Sequence, residues 1–391
     1  MMNTSMTTAL MPSFQKGYFY HFAEPQQWLR GRAEDWGLIE DALQTYRRPH
    51  VDNMNPFGAL AGYFTYDGDF EFAVFSSMSL VRVDGLLPDE AASGSGVDVA
   101  SVCQWKENTC LAEFSDMIQK AQEAICAGEI YQVNLTRRYA MQVAELDSLE
   151  LFKHLWHITE APRSAYFKGQ NLELMSASPE TFLEMHDHSI LTQPIKGTRP
   201  RSRDEMTDKQ NAFDLMTDPK EVAELIMITD LLRNDLGQVC EFGSVTVSEL
   251  VSRQAYSHVF HLYSKVEGRL RENVSHVQAL RDCFPGGSIS GAPKSRACAI
   301  IEELEKANRG AYTGAIGYFG FDGSSLFNIA IRTLEYSRLS KELSFGVGSG
   351  ITAASSSEEE FKETEHKASA MLDAVASYMR STQSVHEQFI S

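Results

Sequence analysis

The chain has 391 residues and a formal net charge of -18 at pH 7. An acidic surface repels phosphate, which argues against nucleic acid or an anionic membrane as a partner. Hydrophobic residues make up 43% of the sequence, enough for a large core, and the length predicts two domains or one large two-lobed one. Six scattered cysteines without CxxC spacing, no apolar leader and no long apolar run predict a reduced cytoplasmic protein without a membrane span.

Groups of strands and helices follow one another along the chain without a βαβ rhythm, which predicts an α+β layered fold. Residues 1–13 and 381–391 lack periodicity and are predicted to be disordered ends. Residues 14–112 form a strand-rich amino-terminal part with a turn at Asp67-Gly68, which the family resemblance described below implies is shortened, and residues 113–380 form a larger second part. The predicted helices of the second part span 113–127, 148–159, 218–237, 274–284, 294–307 and 357–379. Asp218 and Pro219 are expected to cap and open the third of these helices.

A glycine-rich stretch, "GGSISGAPKSR", could suggest a phosphate-binding loop. A Walker loop needs lysine directly after its last glycine, whereas Ala292 and Pro293 separate Gly291 from Lys294. The stretch is instead expected to offer backbone N–H groups to an anion near Ser290.

Two predicted helices each carry a pair of glutamates three residues apart, Glu221 with Glu224 and Glu360 with Glu363. Each pair shares a helix face. Oxygen ligands of this kind suit Mg²⁺, which usually takes one or two carboxylates and keeps its waters. Spacing alone favours the alternative, two ordinary acidic helix faces.

Several cationic residues stand where a strand or loop would otherwise be apolar. Lys196 lies between Ile195 and Gly197 at the end of an apolar run, and its amine could enter a cavity. Arg332 interrupts the apolar strand "LFNIAIRTLEY" and needs a partner there. Together with Lys367 and the backbone of the glycine run at 346, 348 and 350, Arg332 could hold carboxylates.

Eight motifs identify a family resemblance: "ASPETF", "PIKGTRPR", "DLLRNDLG", "HVFHLYSKVEGRL", "FPGGSISGAPKSRA", "YTGAIGYF", "AIRTLEY" and "EFKETEHKA". In this order they resemble the chorismate-utilising enzymes, over roughly residues 55 to 380. The resemblance implies a large layered β/α sandwich with two lobes around a central active-site cleft, and a chorismate-binding catalytic domain at 113–380. Within the family, Lys196 together with Gln132 resembles component I of the aminodeoxychorismate synthases. Anthranilate synthases have alanine in place of Lys196, and isochorismate and salicylate synthases have a lysine base in place of Gln132.

This resemblance implies an Mg²⁺-dependent transferase that makes 4-amino-4-deoxychorismate for p-aminobenzoate and folate synthesis. A neutral Lys196 would attack C2 of chorismate with loss of the C4 hydroxyl, Glu180 would protonate that hydroxyl, and ammonia would then add at C4 and expel the lysine. Glu224 and Glu363 would bind Mg²⁺ directly, and Glu221 and Glu360 through water. The implied substrate-binding residues are Gln132, Thr198, His261, Ser290, Gly291, Ala292, Tyr312, Arg332, Gly348, Gly350 and Lys367.

No nucleophile-elbow cysteine for glutamine hydrolysis is recognisable, so the resemblance implies a separate glutamine amidotransferase subunit as the source of ammonia. Three features depart from the family: Leu225 replaces a histidine or asparagine, Ala354 replaces an aspartate, and the region before residue 55 is short and lacks the tryptophan-binding element. Two alternatives stay open. One is anthranilate synthase component I, and the other is a non-catalytic paralogue that binds only chorismate or the amidotransferase.

Overall fold

The computed structural model describes residues 7–47, 58–83, 86, 88, 104–256 and 259–388. The predicted disorder of the two ends is wrong where they are described. Residues 9–12 form a buried strand, and the last helix continues to Gln388. Residues 1–6 and 389–391 lie outside the described residues.

Twenty strands of the described chain form two antiparallel sheets of ten strands each. With strands numbered in chain order, the first sheet runs β16 (Gly291–Ala292), β8 (Gln132–Gln142), β20 (Glu342–Ile351), β19 (Thr333–Ser337), β10 (Leu172–Ser176), β9 (Ala165–Lys168), β1 (Ala9–Pro12), β2 (Tyr18–Phe22) and β6 (Ser79–Arg82), with β7 (Lys106–Glu107) beside β8. The second runs β13 (Ile195–Pro200), β15 (Val259–Arg269), β12 (Ser189–Gln193), β11 (Thr181–His186), β18 (Ser324–Ile329), β17 (Ala315–Gly320), β4 (Ala59–Phe64), β5 (Phe70–Phe75) and β3 (Gln27–Gly31), with β14 (Thr246–Ala255) beside β15.

Helices cover the outer faces of the two sheets. They are α1 (Gly37–Tyr46), α2 (Leu111–Cys126), α3 (Ser148–Thr159), α4 (Glu205–Thr217), α5 (Pro219–Val239), α6 (His276–Cys283), α7 (Gly287–Ser290), α8 (Lys294–Leu304) and α9 (Ser357–Gln388). One apolar cluster joins α3 and α9 to the first sheet, and another joins α1, α5 and α6 to the second. A third cluster lies between the sheets. The predicted α+β layered sandwich is confirmed.

Strand β4 shows how alternation builds these layers. Ala59 and Ala61 contribute to the cluster between the sheets, whereas Leu60 and Phe64 pack in the outer cluster beneath the helices. Successive side chains of a strand point to opposite faces, so one strand serves two cores. All six residues of β4 are therefore buried.

Strands of the predicted amino-terminal part complete both sheets. Strand β7 pairs with β8 in the first sheet, and β4 pairs with β17 in the second. The boundary at residue 112 therefore does not separate two sheets, and the division into two parts stays a prediction. Helix α5 begins as expected, because the Asp218 side chain accepts hydrogen bonds from the backbone N–H groups of Lys220 and Glu221, and Pro219 is the first helical residue.

Candidate active site

A cleft of about 730 Å³ lies between the two sheets and is closed on one side by α5 and α9. The first sheet contributes glycines of β20, and the second contributes residues of β13 and β15. Twelve of the seventeen predicted site residues line this cleft: Glu180, Lys196, Thr198, Glu221, Glu224, His261, Tyr312, Arg332, Gly348, Gly350, Glu363 and Lys367.

Lys196 projects into the cleft from a bulged part of β13. The register between β13 and β15 shifts between Lys196 and Thr198, and the intervening Gly197 has a φ of 62°, in the left-handed region. A bulge redirects neighbouring side chains. The Lys196 ammonium nitrogen lies 3.8 Å from a carboxylate oxygen of Glu224, and its side chain is 17% exposed.

Glu180 is a buried carboxyl group in the connection from β10 to β11, with 5% of its surface exposed. Burial raises its pKa to about 7. A hydrogen bond from Ser288 and the charges of Lys196 and Lys367 oppose this rise. Glu180 therefore holds a proton for a substantial fraction of the time near neutral pH, as a general acid requires.

His261 forms a neutral wall of the cleft. Its Nδ1 lies 3.2 Å from the carbonyl oxygen of Gly197 and 3.0 Å from the Thr198 hydroxyl. Burial lowers the pKa of His261 to about 4, and the charge of Arg332 adds to this effect. Because a carbonyl can only accept, Nδ1 carries the hydrogen of the neutral ring.

Three of the four predicted metal-binding glutamates face the cleft, Glu221 and Glu224 from α5 and Glu363 from α9. Burial raises the pKa values of Glu221 and Glu224, and the charge of Glu363 raises both further. At Glu363, burial favours a higher pKa, but the charges of Lys367, Lys196 and Lys220 outweigh it and the pKa is lowered. Converging carboxylates that repel one another form an environment that favours a cation.

The fourth glutamate, Glu360, does not line the cleft and is 1% exposed. It accepts hydrogen bonds from Ser349 and from Ser355, the latter at 2.8 Å, and pairs with Lys220 at 3.4 Å. Its oxygens therefore join α9 to β20. The shared helical spacing predicted that Glu360 lies on the cleft face with Glu363, but its side chain turns toward Ser349. Its predicted contact with a metal through water stays a prediction.

Gln132 and the glycine run of β20 pack against each other. A Cβ atom at Gly350 would lie 2.2 Å from Nε2 of Gln132, and one at Gly346 would lie 2.1 Å from the Tyr312 ring. A side chain at Gly346 would have to displace the Tyr312 ring, and one at Gly350 would have to displace the Gln132 amide. Gln132 is 2% exposed and lies beneath Gly350 rather than on the cleft surface. Its Oε1 is a buried acceptor without a hydrogen-bond partner in the described part of the chain.

The predicted contacts of Ser290, Gly291 and Ala292 with substrate also need correction. Gly291 and Ala292 pair with β8, so this backbone is used in the sheet rather than offered to an anion. The Ser290 hydroxyl donates to the carbonyl of Gly286 at 2.9 Å. Ser288 and Ile289, earlier in the same motif, line the cleft instead.

Asn134, Lys220 and Ser288 are among the polar residues of the cleft that sequence reasoning missed. Asn134 follows Gln132 by two residues on β8, so strand periodicity could have placed both on one face. Lys220 precedes Glu221 at the start of α5, and nothing in its spacing distinguished it from a surface lysine.

The two single-residue departures from the family lie away from these groups. Leu225 is fully buried in an apolar cluster with Ala212, Leu215, Phe260 and Leu262. Ala354 is exposed in the turn before α9. Neither side chain lines the cleft.

Comparison with known proteins places the chain in a family. The family profile described as chorismate binding enzyme matches residues 81–373. The chain belongs to the chorismate binding enzymes. A protein of Haloarcula marismortui named "Anthranilate synthase component 1 3" is 37% identical over 339 residues, which cover 86% of this chain and 66% of that protein. Anthranilate synthase component 1 of Methanothermobacter marburgensis is 34% identical and covers 90% of this chain and 85% of its own length.

The fold of this chorismate binding enzyme matches that of solved relatives. Anthranilate synthase component I from Streptococcus pneumoniae superposes with a TM-score of 0.72 at 24% identity, over 94% of this chain and 92% of that one. The chain spans about half to two thirds of the length of the first three curated relatives that it matches.

The described helices of this chorismate binding enzyme include none that combines the length and apolar character of a membrane span. Nor does any cluster of three or more histidine, cysteine, aspartate or glutamate side chains in the described ranges form a complete metal-binding group. Two cleft carboxylates, Glu224 and Glu363, remain compatible with Mg²⁺, because this ion usually completes its coordination with waters and substrate oxygens.

Proposed function

We propose that this chain catalyses the amination of chorismate at C4, giving 4-amino-4-deoxychorismate, as component I of an aminodeoxychorismate synthase. The observation that carries the proposal is the position of Lys196, whose amine lies inside the cleft beside Glu224 and within the electrostatic reach of Glu180. The resemblance implies alanine at this position in anthranilate synthases. A nucleophilic amine in the pocket therefore favours the aminodeoxychorismate reaction.

The reaction divides into two displacements on the ring. The neutral amine of Lys196 forms a bond to C2, the ring double bonds shift, and the C4–O bond breaks. Glu180 supplies the proton with which the hydroxyl leaves as water. Ammonia then forms a bond to C4, the double bonds shift back, and the C2–N bond to Lys196 breaks. The enolpyruvyl group is retained.

Chorismate is a dicarboxylate, and the cleft offers cationic groups for it. Arg332 lines the cleft, is partly buried and has no ion-pair partner among the described residues. Burial lowers its pKa, with no carboxylate to counter the effect. A guanidinium in this state binds a carboxylate through two parallel hydrogen bonds.

Mg²⁺ is part of the proposal, with Glu224 and Glu363 as its direct ligands and Glu221 nearby. When bound, the ion would neutralise a substrate carboxylate in a cleft that already holds three glutamates. Lys367 pairs with Glu363 at 2.6 Å and donates to the Gly348 carbonyl at 2.9 Å. It therefore places a further positive charge between this carboxylate and β20.

Ammonia is proposed to come from a separate glutamine amidotransferase subunit. The relatives that carry the printed name component 1 support this proposal, since the name describes one part of a larger enzyme. In the described part of this chain, no cysteine lines the cleft. Cys240 and Cys283 are buried, and burial raises the pKa of Cys240 to about 11, which disfavours a nucleophilic thiolate.

Anthranilate synthase component I is the second candidate, favoured by the names of the matched relatives. That enzyme would release pyruvate and form an aromatic, fluorescent product. The test is to incubate the purified chain with chorismate, Mg²⁺ and ammonium at mildly alkaline pH and to separate the products by mass. Aminodeoxychorismate without pyruvate supports the proposal. Anthranilate with equimolar pyruvate overturns it in favour of the second candidate, and no consumption of chorismate would favour a non-catalytic binding protein.

A further inference from the structure

Arg309 is a buried arginine immediately behind the cleft, in the segment after α8. Its side chain is 2% exposed. Its Nε and Nη2 donate to the two carboxylate oxygens of Glu305 at 2.9 and 2.7 Å, and its guanidinium carbon lies 4.5 Å from the centre of the Tyr66 ring. This bidentate pair fixes the plane of the guanidinium group.

The same guanidinium reaches three other segments. Nη2 donates to the carbonyl oxygen of Asn134 at 2.7 Å, and Nη1 donates to that of Ile289 at 2.9 Å. Nη1 also donates to the Thr313 hydroxyl at 3.3 Å. Asn134 and Ile289 line the cleft, whereas Arg309 does not.

The contact with Thr313 supports a strained piece of backbone. Thr313 has a φ of 63°, a left-handed conformation that is unfavourable for a β-branched residue. Such a conformation persists only where the surrounding structure supports it. Its hydroxyl donates to the carbonyl of Tyr312 at 2.7 Å, so the contact with Arg309 also helps to fix Tyr312 in the cleft wall.

The contact with Ile289 leads to the proposed general acid. Ser288 precedes Ile289 in the short helix α7 and lines the cleft together with Glu180, whose pKa its side chain lowers against the effect of burial. Holding the Ile289 carbonyl therefore also restrains Ser288 beside Glu180. The charged groups that face Glu180 from other elements are Lys196 of β13 and Lys367 of α9.

We infer that Arg309 is a positioning residue of this active site, which fixes Asn134, the Ser288–Ile289 turn and Tyr312 around Glu180 through one guanidinium group. The inference rests on the proposed function for the role of Glu180 as the acid. The competing interpretation is a buried ion pair with a structural role alone, since a buried arginine needs a carboxylate partner wherever it lies.

Arg309→Lys tests this inference. Lysine keeps the charge and can reach Glu305, but it lacks the planar fork that serves the other segments. We expect kcat for chorismate consumption to fall about 10- to 100-fold, because small misplacements of catalytic groups have effects of this size. In the dependence of kcat on pH, the alkaline limb is the range in which kcat falls as Glu180 loses its proton. This limb should move to higher pH by up to about one unit, because Ser288 no longer stabilises the Glu180 carboxylate fully.

Arg338→Lys is the matched control. Arg338 pairs with Glu173, whose side chain is 5% exposed, and neither residue lines the cleft. Because the Arg338 side chain is 37% exposed, this variant should show a smaller shift in Tm, with wild-type kcat and pH profile. Ser288→Ala removes the hydroxyl donor and should move the alkaline limb in the same direction as Arg309→Lys.

The inference is overturned if Arg309→Lys keeps wild-type kcat and pH profile, or if its losses match those of Arg338→Lys. Should Arg309→Lys fail to fold, Ser288→Ala provides the test. An alkaline limb of the kcat–pH profile at the wild-type pH would then overturn the inference. Chorismate consumption is measured independently of product identity. A wild-type product other than aminodeoxychorismate would therefore contradict the proposed function while leaving the test of Arg309 intact.

Discussion

The ammonium nitrogen of Lys196 lies 3.8 Å from a carboxylate oxygen of Glu224, across the boundary between β13 and α5. Lys196 comes from a sheet edge and Glu224 from the second turn of a helix, so the pair forms only when α5 packs on β13. Glu224 is thus both the counter-ion of the proposed nucleophile and a proposed metal ligand. A cation that binds Glu224 would therefore compete with Lys196 for the same carboxylate.

The first prediction concerns the metal. Glu224→Gln and Glu363→Gln should each weaken Mg²⁺ binding by at least about tenfold, because a neutral amide is a poorer ligand for a hard cation. Isothermal titration calorimetry with Mg²⁺ alone measures this without reference to turnover. Glu360→Gln is the control, since Glu360 is engaged by Ser349 and Ser355. A Glu224→Gln variant with wild-type Mg²⁺ affinity would refute the assignment.

The second prediction links Glu180 to stability. Its folded pKa of about 7 lies above the ordinary value of 4.5, so the native state binds more protons than the unfolded state between these values, and stability falls as pH rises through this window. Glu180→Gln removes the ionisable group and therefore the free-energy cost of ionising a buried carboxyl group at high pH. It should stabilise the protein at pH 8 by up to about 3 kcal/mol, with a smaller gain toward pH 5, while abolishing turnover. Denaturant unfolding at both pH values checks it, and a pH-independent gain would contradict the assigned pKa.

How far the sequence predicts the fold depends on the element. Helix α3 carries a clear apolar period and was predicted with its observed bounds. Helix α4 was missed because Met206, Phe213 and Met216 are exposed and only Ala212 and Leu215 are buried, which removes the periodic signal. Strand β1 is covered on both faces, so its four residues show no alternation and were taken for a disordered end.

The site shows the same limit. Motifs identified Lys196, Glu180 and the glutamates, since their residue types carry the chemistry. The contacts of Glu360 with Ser349 and of Gln132 with Gly350 depend on how α9 and β8 lie against β20, and no local spacing specifies that. Arg309 was missed because its hydrogen-bond partners are up to 175 residues away in sequence.

A third prediction uses the close packing behind the cleft. Gly350→Ala places a methyl group 2.2 Å from the Gln132 amide, which must move. We expect kcat/KM for chorismate to fall about 10- to 100-fold, with destabilisation of about 1–3 kcal/mol. Gly237→Ala, where a Cβ meets nothing within 4 Å, should keep wild-type activity. Equal kinetics in the two variants would show that Gln132 does not influence the site.

The fourth prediction concerns the nitrogen source. Glutamine alone should support no turnover by the purified chain, whereas ammonium should. Only NH₃ is nucleophilic. At pH values below the pKa of ammonium, the KM for total ammonium should therefore fall about tenfold for each unit by which the pH is raised. Steady-state assays at several pH values measure this dependence. Turnover with glutamine alone would contradict the need for a separate amidotransferase.

The central claim is that Lys196 forms a covalent bond to the substrate, and intact-protein mass spectrometry tests it most directly. Wild-type protein is mixed with chorismate and Mg²⁺ without ammonia and quenched, with Lys196→Ala treated in parallel as the control. We predict an added mass equal to chorismate less one water, mapping to Lys196 after proteolysis and absent from Lys196→Ala. Ammonia-dependent formation of aminodeoxychorismate by Lys196→Ala at the wild-type rate, with no adduct on the wild-type protein, would contradict the account.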